Sequence, residues 1–175
     1  GRNMGIEIAL ERNFSGGYYY MFNTSIFEST YTPNNQITYP SILDNRLIAN
    51  TIFGKEWQIG KKKGKSKILN INLSATYSGP RNYTPLDFDL IIEEGIFQTD
   101  YENPNSAQQS ALWFIDASLV YNWNHPNYNM QLAFQVKNLL NQRPIIRQTF
   151  DIQSREIVNI YTSGFIPVLL WKVQF

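Results

Sequence analysis

Leu69-Asn70-Ile71-Asn72-Leu73-Ser74-Ala75-Thr76-Tyr77 alternates apolar and polar side chains without a break. Successive side chains of an extended strand point to opposite faces. This run therefore sets Leu69, Ile71, Leu73, Ala75 and Tyr77 against Asn70, Asn72, Ser74 and Thr76. The polar set holds no charge, only amides and hydroxyls.

The same rhythm extends in both directions. From Trp113 to Trp123, Trp113, Ile115, Ala117, Leu119, Tyr121 and Trp123 share a face opposite Asp116, Ser118 and Asn122. Met130, Leu132, Phe134 and Val136 alternate with Gln131, Ala133, Gln135 and Lys137. Ile6, Ile8 and Leu10 alternate with Glu7, Ala9 and Glu11, and Leu169, Trp171, Val173 and Phe175 with Lys172 and Gln174. Tyr18 to Tyr31 is rich in β-formers but mixes its faces. Leu47 to Ile59 alternates roughly, with Lys55 on the apolar side. The expectation is an all-β chain of about seven long antiparallel strands. Globular strands run about 5–6 residues, whereas a tilted strand crossing a bilayer needs about 9–11.

The connections sort by length. Asn13–Gly17, Gly60–Ser66 and Asn124–Asn127 are short. Thr32–Arg46 and Pro80–Ser110 are long, with a smaller link around Asp151–Glu156. Short turns at one end and long polar loops at the other are the wiring of an up-and-down transmembrane β-barrel. Tyr18, Trp57, Trp123, Tyr128 and Trp171 are expected toward the short-turn end, and Tyr31, Tyr77 and Trp113 toward the other. Such belts of amphipathic rings suit membrane interfaces.

Composition narrows the function classes. The chain has 175 residues, large enough by itself for one domain with a core, and 17% are charged. Its 15 basic and 14 acidic residues leave a net charge of +1, no footprint for nucleic acid. Without cysteine, disulfide scaffolds and thiolate metal sites are excluded. No run of about 20 apolar residues reads as a transmembrane helix, and Gly1–Glu7 lacks the basic-then-apolar order of a signal peptide. The one histidine, His125, sits in a turn beside Pro126, and no nucleophile, phosphate-loop or metal motif accompanies it. Neither enzyme activity nor a metal or other cofactor is expected. Lys61, Lys62, Lys63, Lys65 and Lys67 form the one basic cluster, which suits a solvated turn or anionic lipid headgroups. Sequons at Asn13, Asn23, Asn72 and Asn82 fit glycosylation poorly, because Asn72 lies in mid-strand. No helix of consequence is readable; the best helical stretch, Leu86–Glu94, lies inside the second long loop and reads equally as an extended or mixed segment.

Several segments resemble the C-terminal barrel of TonB-dependent outer-membrane receptors of the type found in Bacteroidetes. Gly5-Ile6-Glu7-Ile8-Ala9-Leu10-Glu11 with Phe14-Ser15-Gly16-Gly17-Tyr18-Tyr19 is similar to a hairpin of that family. So are Asn50–Gly60, with Gly54-Lys55-Glu56-Trp57, and Tyr77–Leu86, reading Tyr-Ser-Gly-Pro-Arg-Asn-Tyr-Thr-Pro-Leu. Val136-Lys137-Asn138-Leu139-Leu140-Asn141-Gln142-Arg143 resembles the motif of its penultimate strand.

The resemblance implies that residues 1–175 are about seven strands of a probably 22-stranded barrel, without its plug domain. It implies an outer-membrane transporter of a scarce nutrient: a siderophore, cobalamin, saccharide or peptide. Its partners would be outer-membrane lipid, the rest of its own barrel and plug, the TonB complex and the barrel-assembly machinery. That machinery would read Leu169, Trp171, Val173 and Phe175. The short turns would be periplasmic and the long loops extracellular. There Tyr39, Tyr83, Asp87, Phe88, Asp89 and Tyr101 are the candidate ligand contacts, since aromatic and carboxylate groups on loops can grip sugars or metal chelates. The rivals are a soluble lipocalin-like barrel and a small structural outer-membrane barrel. The lipocalin reading expects a Gly-x-Trp near the N-terminus, whereas Gly54-Lys55-Glu56-Trp57 has the wrong spacing and lies late.

Overall fold

The computed structural model describes residues 1–62, 64–87, 98–151, 153–154 and 156–175. Seven long strands make one antiparallel sheet in up-and-down order. They are β1 (Arg2–Ser15), β2 (Tyr18–Tyr31), β4 (Leu47–Lys62), β5 (Lys65–Ser78), β8 (Leu112–His125), β9 (Tyr128–Lys137) and β12 (Ile166–Gln174). The short β3 (Tyr39–Pro40) adds to β2, and β6 (Asn82–Tyr83) pairs with β7 (Ala107–Gln108). A separate hairpin joins β10 (Ile145–Asp151) to β11 (Glu156–Tyr161). No helix occurs among the described residues. Most of Leu86–Glu94, the stretch that reads as helical or extended alike, lies outside them, and Leu86 itself bridges to Thr99 in extended pairing.

The register carries the alternation across the whole sheet. One row of partners runs Trp57, Leu69, Tyr121, Leu132 and Trp171; another runs Phe53, Leu73, Ala117, Val136 and Pro167. Partners in an antiparallel ladder share a face, so one apolar surface spans the sheet from Ile6 in β1 to Trp171 in β12. Trp57 and Trp171 share a row, with Trp123 one step nearer the short turns. Tyr77 and Trp113 pair toward the other end with ring centroids 4.6 Å apart. Tyr31 instead alternates onto the opposite face, where its ring packs on Tyr39 at 5.9 Å.

The second face is a hydrogen-bonded polar surface. Asn50 donates to Asn23 (3.0 Å) and accepts from Thr76 (3.0 Å). Tyr19 donates to Asn72 (3.1 Å), whose amide donates to Ser118 (3.2 Å). Gln131 donates to Asn122, and Asn124 to Ser66, each at 3.0 Å. Tyr19 lies flat over Gly54, where a Cβ would overlap the ring; this is the reason for a glycine in mid-strand. The sequon residues Asn23 and Asn72 are thus rungs of this ladder.

The length-based expectation of a core fails. Among the described residues the buried hydrophobic side chains are Ala133 and Val136. A sheet normally buries one face against a second layer, and among the described residues none covers this one. Nor is the sheet closed: β1 and β12 are its two edges and do not pair with each other. A complete lipocalin-like barrel would join them.

All three tight turns, after β1, β4 and β8, lie at one end. Gly16 and Gly17 turn the first with φ of 64° and 78°, which favours glycine. β12 runs toward the same end, since Gln174 pairs with Asn129 beside the third turn. There His125 stacks on Tyr128 with centroids 4.7 Å apart. The link expected around Asp151–Glu156 is the turn of the β10–β11 hairpin, whose strands the alternation missed.

Candidate functional site

The long connections pack together at the other end of the sheet, tied by side chains that replace regular secondary structure. Asp44, 1% exposed, accepts the Ser29 backbone N–H at 2.9 Å. Arg46 Nε lies 2.9 Å from its other oxygen, an ion pair rather than an aligned hydrogen bond. Arg46 also reaches Glu28 at 3.1 Å. Together they pin the return of the 32–46 loop onto β2 and β4.

Asn82 joins this loop to the next. Its amide donates to the Ser41 (3.1 Å) and Asp44 (3.5 Å) carbonyls and accepts from Gln108 (3.0 Å). At 2% exposure it is a buried joint, not a glycan acceptor. Asn105, in the left-handed region with φ of 56°, donates to the Pro40 carbonyl at 2.9 Å. Residues 82–87 and 98–108 form a two-stranded arm, held by the Asp87 N–H to the Gln98 carbonyl (3.0 Å) and the Asp100 N–H to Pro85 (2.9 Å).

Two asparagines shape the exit from β9. Asn138 and Asn141 both take positive φ, 54° and 52°, a conformation that asparagine tolerates better than most side chains. The Asn138 N–H donates to Asp116 (2.9 Å), and its side chain exchanges bonds with the Gln142 carbonyl (2.7 Å) and N–H (3.0 Å). Asn141 Oδ1 accepts the Phe165 N–H at 3.0 Å, tying the start of the excursion to its end. The Asn-Leu-Leu-Asn spacing therefore has a mechanical reason: two left-handed turns capped by their own amides.

Between this excursion and the 82–108 arm lies a cavity of about 860 Å³, open to solvent. Tyr83, Gln108, Arg143, Arg147, Gln148 and Tyr161 contribute its most polar and aromatic walls. Such a mixture can stack on rings and donate hydrogen bonds to oxygen-rich ligands. No group of three or more metal-ligating side chains occurs among the described residues.

Of the residues expected to bind ligand, Tyr83 lines this cavity. Asp87 lies beside its lining residue Leu86, and Phe88 and Asp89 fall outside the described residues. Tyr39 sits on the first loop, its hydroxyl accepting from Asn35 at 3.0 Å, away from the cavity. Tyr101, 75% exposed, is off the cavity on a neighbouring turn. That turn is built by Asp100, whose carboxylate accepts from the Asn103 amide (2.8 Å) and the Glu102 and Asn103 N–H groups. These bonds, the Asn103 side chain first, hold its pKa below the usual aspartate value. Asp151, at the hairpin tip, is likewise lowered by the Gln153 N–H.

The chain matches no family model, no curated protein and no solved structure.

Among the cavity contributors that alternation did not reveal are Gln108, Arg143, Arg147, Gln148 and Tyr161. The sequence signal is the pair of arginines four apart in the connection after β9. At the opposite end, Leu169, Trp171, Val173 and Phe175 line the outermost strand, with Leu169 72%, Trp171 71% and Phe175 99% exposed.

Proposed function

We propose that this chain is the C-terminal wall of an outer-membrane, TonB-dependent receptor barrel that imports a scarce nutrient. The observation that supports it is the single-layer sheet, whose largely apolar face has no second layer packed on it among the described residues. Exposing a large apolar side chain to water costs about 1.5–3 kcal/mol, and this face carries Ile6, Leu69, Leu119, Phe134 and Trp171 together. In hydrocarbon that cost disappears, while the amide-lined face lines a wet lumen. The two open edges fit the same reading. Unpaired N–H and C=O groups in a bilayer demand further strands, so β1 and β12 continue into the rest of the barrel.

In this reading the chain is no enzyme. It supplies wall, lumen lining and extracellular loops, with nutrient engaging the cavity beside Tyr83 and Arg147. In this reading a plug and the TonB contact belong to other parts of the receptor, and the barrel-assembly machinery reads β12. The test is fractionation of cells expressing the full-length protein that carries this segment. The account expects it in the outer-membrane pellet after an alkaline carbonate wash, released by detergent. Recovery in the soluble fraction without detergent would remove the membrane reading and favour a soluble barrel.

A further inference from the structure

The apolar face is not purely apolar at its short-turn end. Arg12, Lys55 and Lys67 alternate onto it, one in each of β1, β4 and β5. The Arg12 guanidinium carbon lies 4.2 Å from the Tyr18 ring centre, and Lys55 Nζ lies 5.2 Å from the same ring. Lys55 Nζ is also 5.9 Å from Trp57, and Lys67 Nζ 4.8 Å from Trp123. Two cations thus share one tyrosine ring, although like charges repel. Their hydrogen-bond partners are weak: Arg12 to the Ser15 carbonyl and Lys55 to the Gly16 carbonyl, at 3.5 and 3.4 Å. Arg12 Nε is buried with no acceptor.

The carboxylates at this end are elsewhere. Glu11 and Glu56 are the sequence neighbours of Arg12 and Lys55, and alternation places both on the polar face. Neither Arg12, Lys55 nor Lys67 has an ion pair among the described residues. The wall therefore separates charge across its thickness, leaving cations and interface-type aromatics on the side assigned to lipid. An anion at the rim of the Tyr18 ring would offset the uncompensated charge of Arg12 and Lys55 on either side of it, and the aromatic faces set its depth at the boundary of the hydrocarbon.

We propose that Arg12, Tyr18, Lys55 and Trp57, with Lys67 and Trp123 beside them, form a headgroup site for an anionic phospholipid at the short-turn rim. The phosphate sits over the rim of the Tyr18 ring, which lies between the strands that carry Arg12 and Lys55, and takes donors from both; the acyl chains run along Leu10, Phe53 and Leu73, and Lys67 adds a second anchor. This rests on the membrane-wall reading. It adds a preference that a neutral interface would not have.

The test uses the full-length protein in a neutral detergent, given equal amounts of phosphatidylglycerol and phosphatidylcholine with the same acyl chains. Native mass spectrometry counts the lipid retained. A cation at a membrane surface contributes about a fivefold preference for anionic lipid, so phosphatidylglycerol should be retained at least about fivefold better. The Arg12→Gln, Lys55→Gln, Lys67→Gln triple variant should lose that preference. A Lys61→Gln, Lys62→Gln control, outside the ring contacts, should keep it. If the triple variant does not fold, Lys67→Gln alone should reduce the preference severalfold. Equal retention of the two lipids, or a preference unchanged by every one of the ring-contact substitutions, overturns the site. Displacement of phosphatidylglycerol by millimolar inorganic phosphate also overturns it, since the site would then read free phosphate. A protein that stays in solution without detergent and retains neither lipid fails the wall reading itself.

Discussion

The two faces of the sheet are made from alternate residues of the same strands and are stabilised in different ways. On one, Ile71, Leu73, Leu119 and Phe134 make no directed contacts and gain only what their surroundings give them. On the other, Asn23, Asn50 and Thr76, or Tyr19, Asn72 and Ser118, bond to each other across strands. A face that satisfies itself tolerates water, whereas one that does not must be covered. The difference between the faces, more than any single residue, is what the proposed wall with lipid on one side and water on the other rests on.

The largest effect is expected from charge placed at neighbouring positions on the two faces. Leu73→Arg in the full-length protein should cost about 2–4 kcal/mol in a bilayer, the cost of a cation in mid-wall. Ser74→Arg, one residue on and opposite Asp116, should stay within about 0.5 kcal/mol. Unfolding by denaturant in lipid reads both, and equal effects would break the comparison. A smaller effect sharpens it from the polar side. Asn50→Ala removes bonds to Asn23 and Thr76 and should cost about 1 kcal/mol if, as proposed, water on this face replaces part of what is lost. A cost above about 3 kcal/mol would mean that this face is dry.

The smallest effect lies off both faces, in the Asp100 turn. A carboxylate whose pKa is lower in the folded state stabilises above its unfolded value, near 4, and that contribution fades as pH falls through the folded value. Amide exchange at Glu102 and Asn103 should therefore be slow at neutral pH and quicken relative to other loop amides below pH of about 4. The Asp100→Asn variant should remove this pH dependence. A turn that holds equally at low pH would show that the carboxylate charge does not build it.

The strands of the sheet were legible because their faces differ so much in chemistry. Leu69–Tyr77 and Trp113–Trp123 each declare a strand and its orientation, and the alternation puts even Lys55 on the apolar side, where the register has it. The β10–β11 hairpin was hidden because Ile145 and Ile146 are adjacent and the register shifts between Ile145 and Arg147, so no period of two survives. The structural role of Asn82 is invisible in its sequon, because its burial depends on Ser41 and Asp44, far away in sequence. The cavity was illegible for the same reason. Tyr83 and Arg147 meet only through two connections whose courses are set by asparagine turns, a chemistry that local alternation does not register. Length misled in one respect, because 175 residues can form a core only when two layers face each other.

Spin labels placed through single cysteine substitutions at each position from Met130 to Val136, in the full-length protein in a bilayer, test the central claim most directly. The chain's own lack of cysteine favours this approach. Accessibility to dissolved oxygen, which concentrates in lipid, should peak at 130, 132, 134 and 136. Accessibility to a water-soluble nickel chelate should peak at 131, 133 and 135. Uniform access by the chelate along β9, or the opposite phase, would contradict a wall with lipid on one side and water on the other.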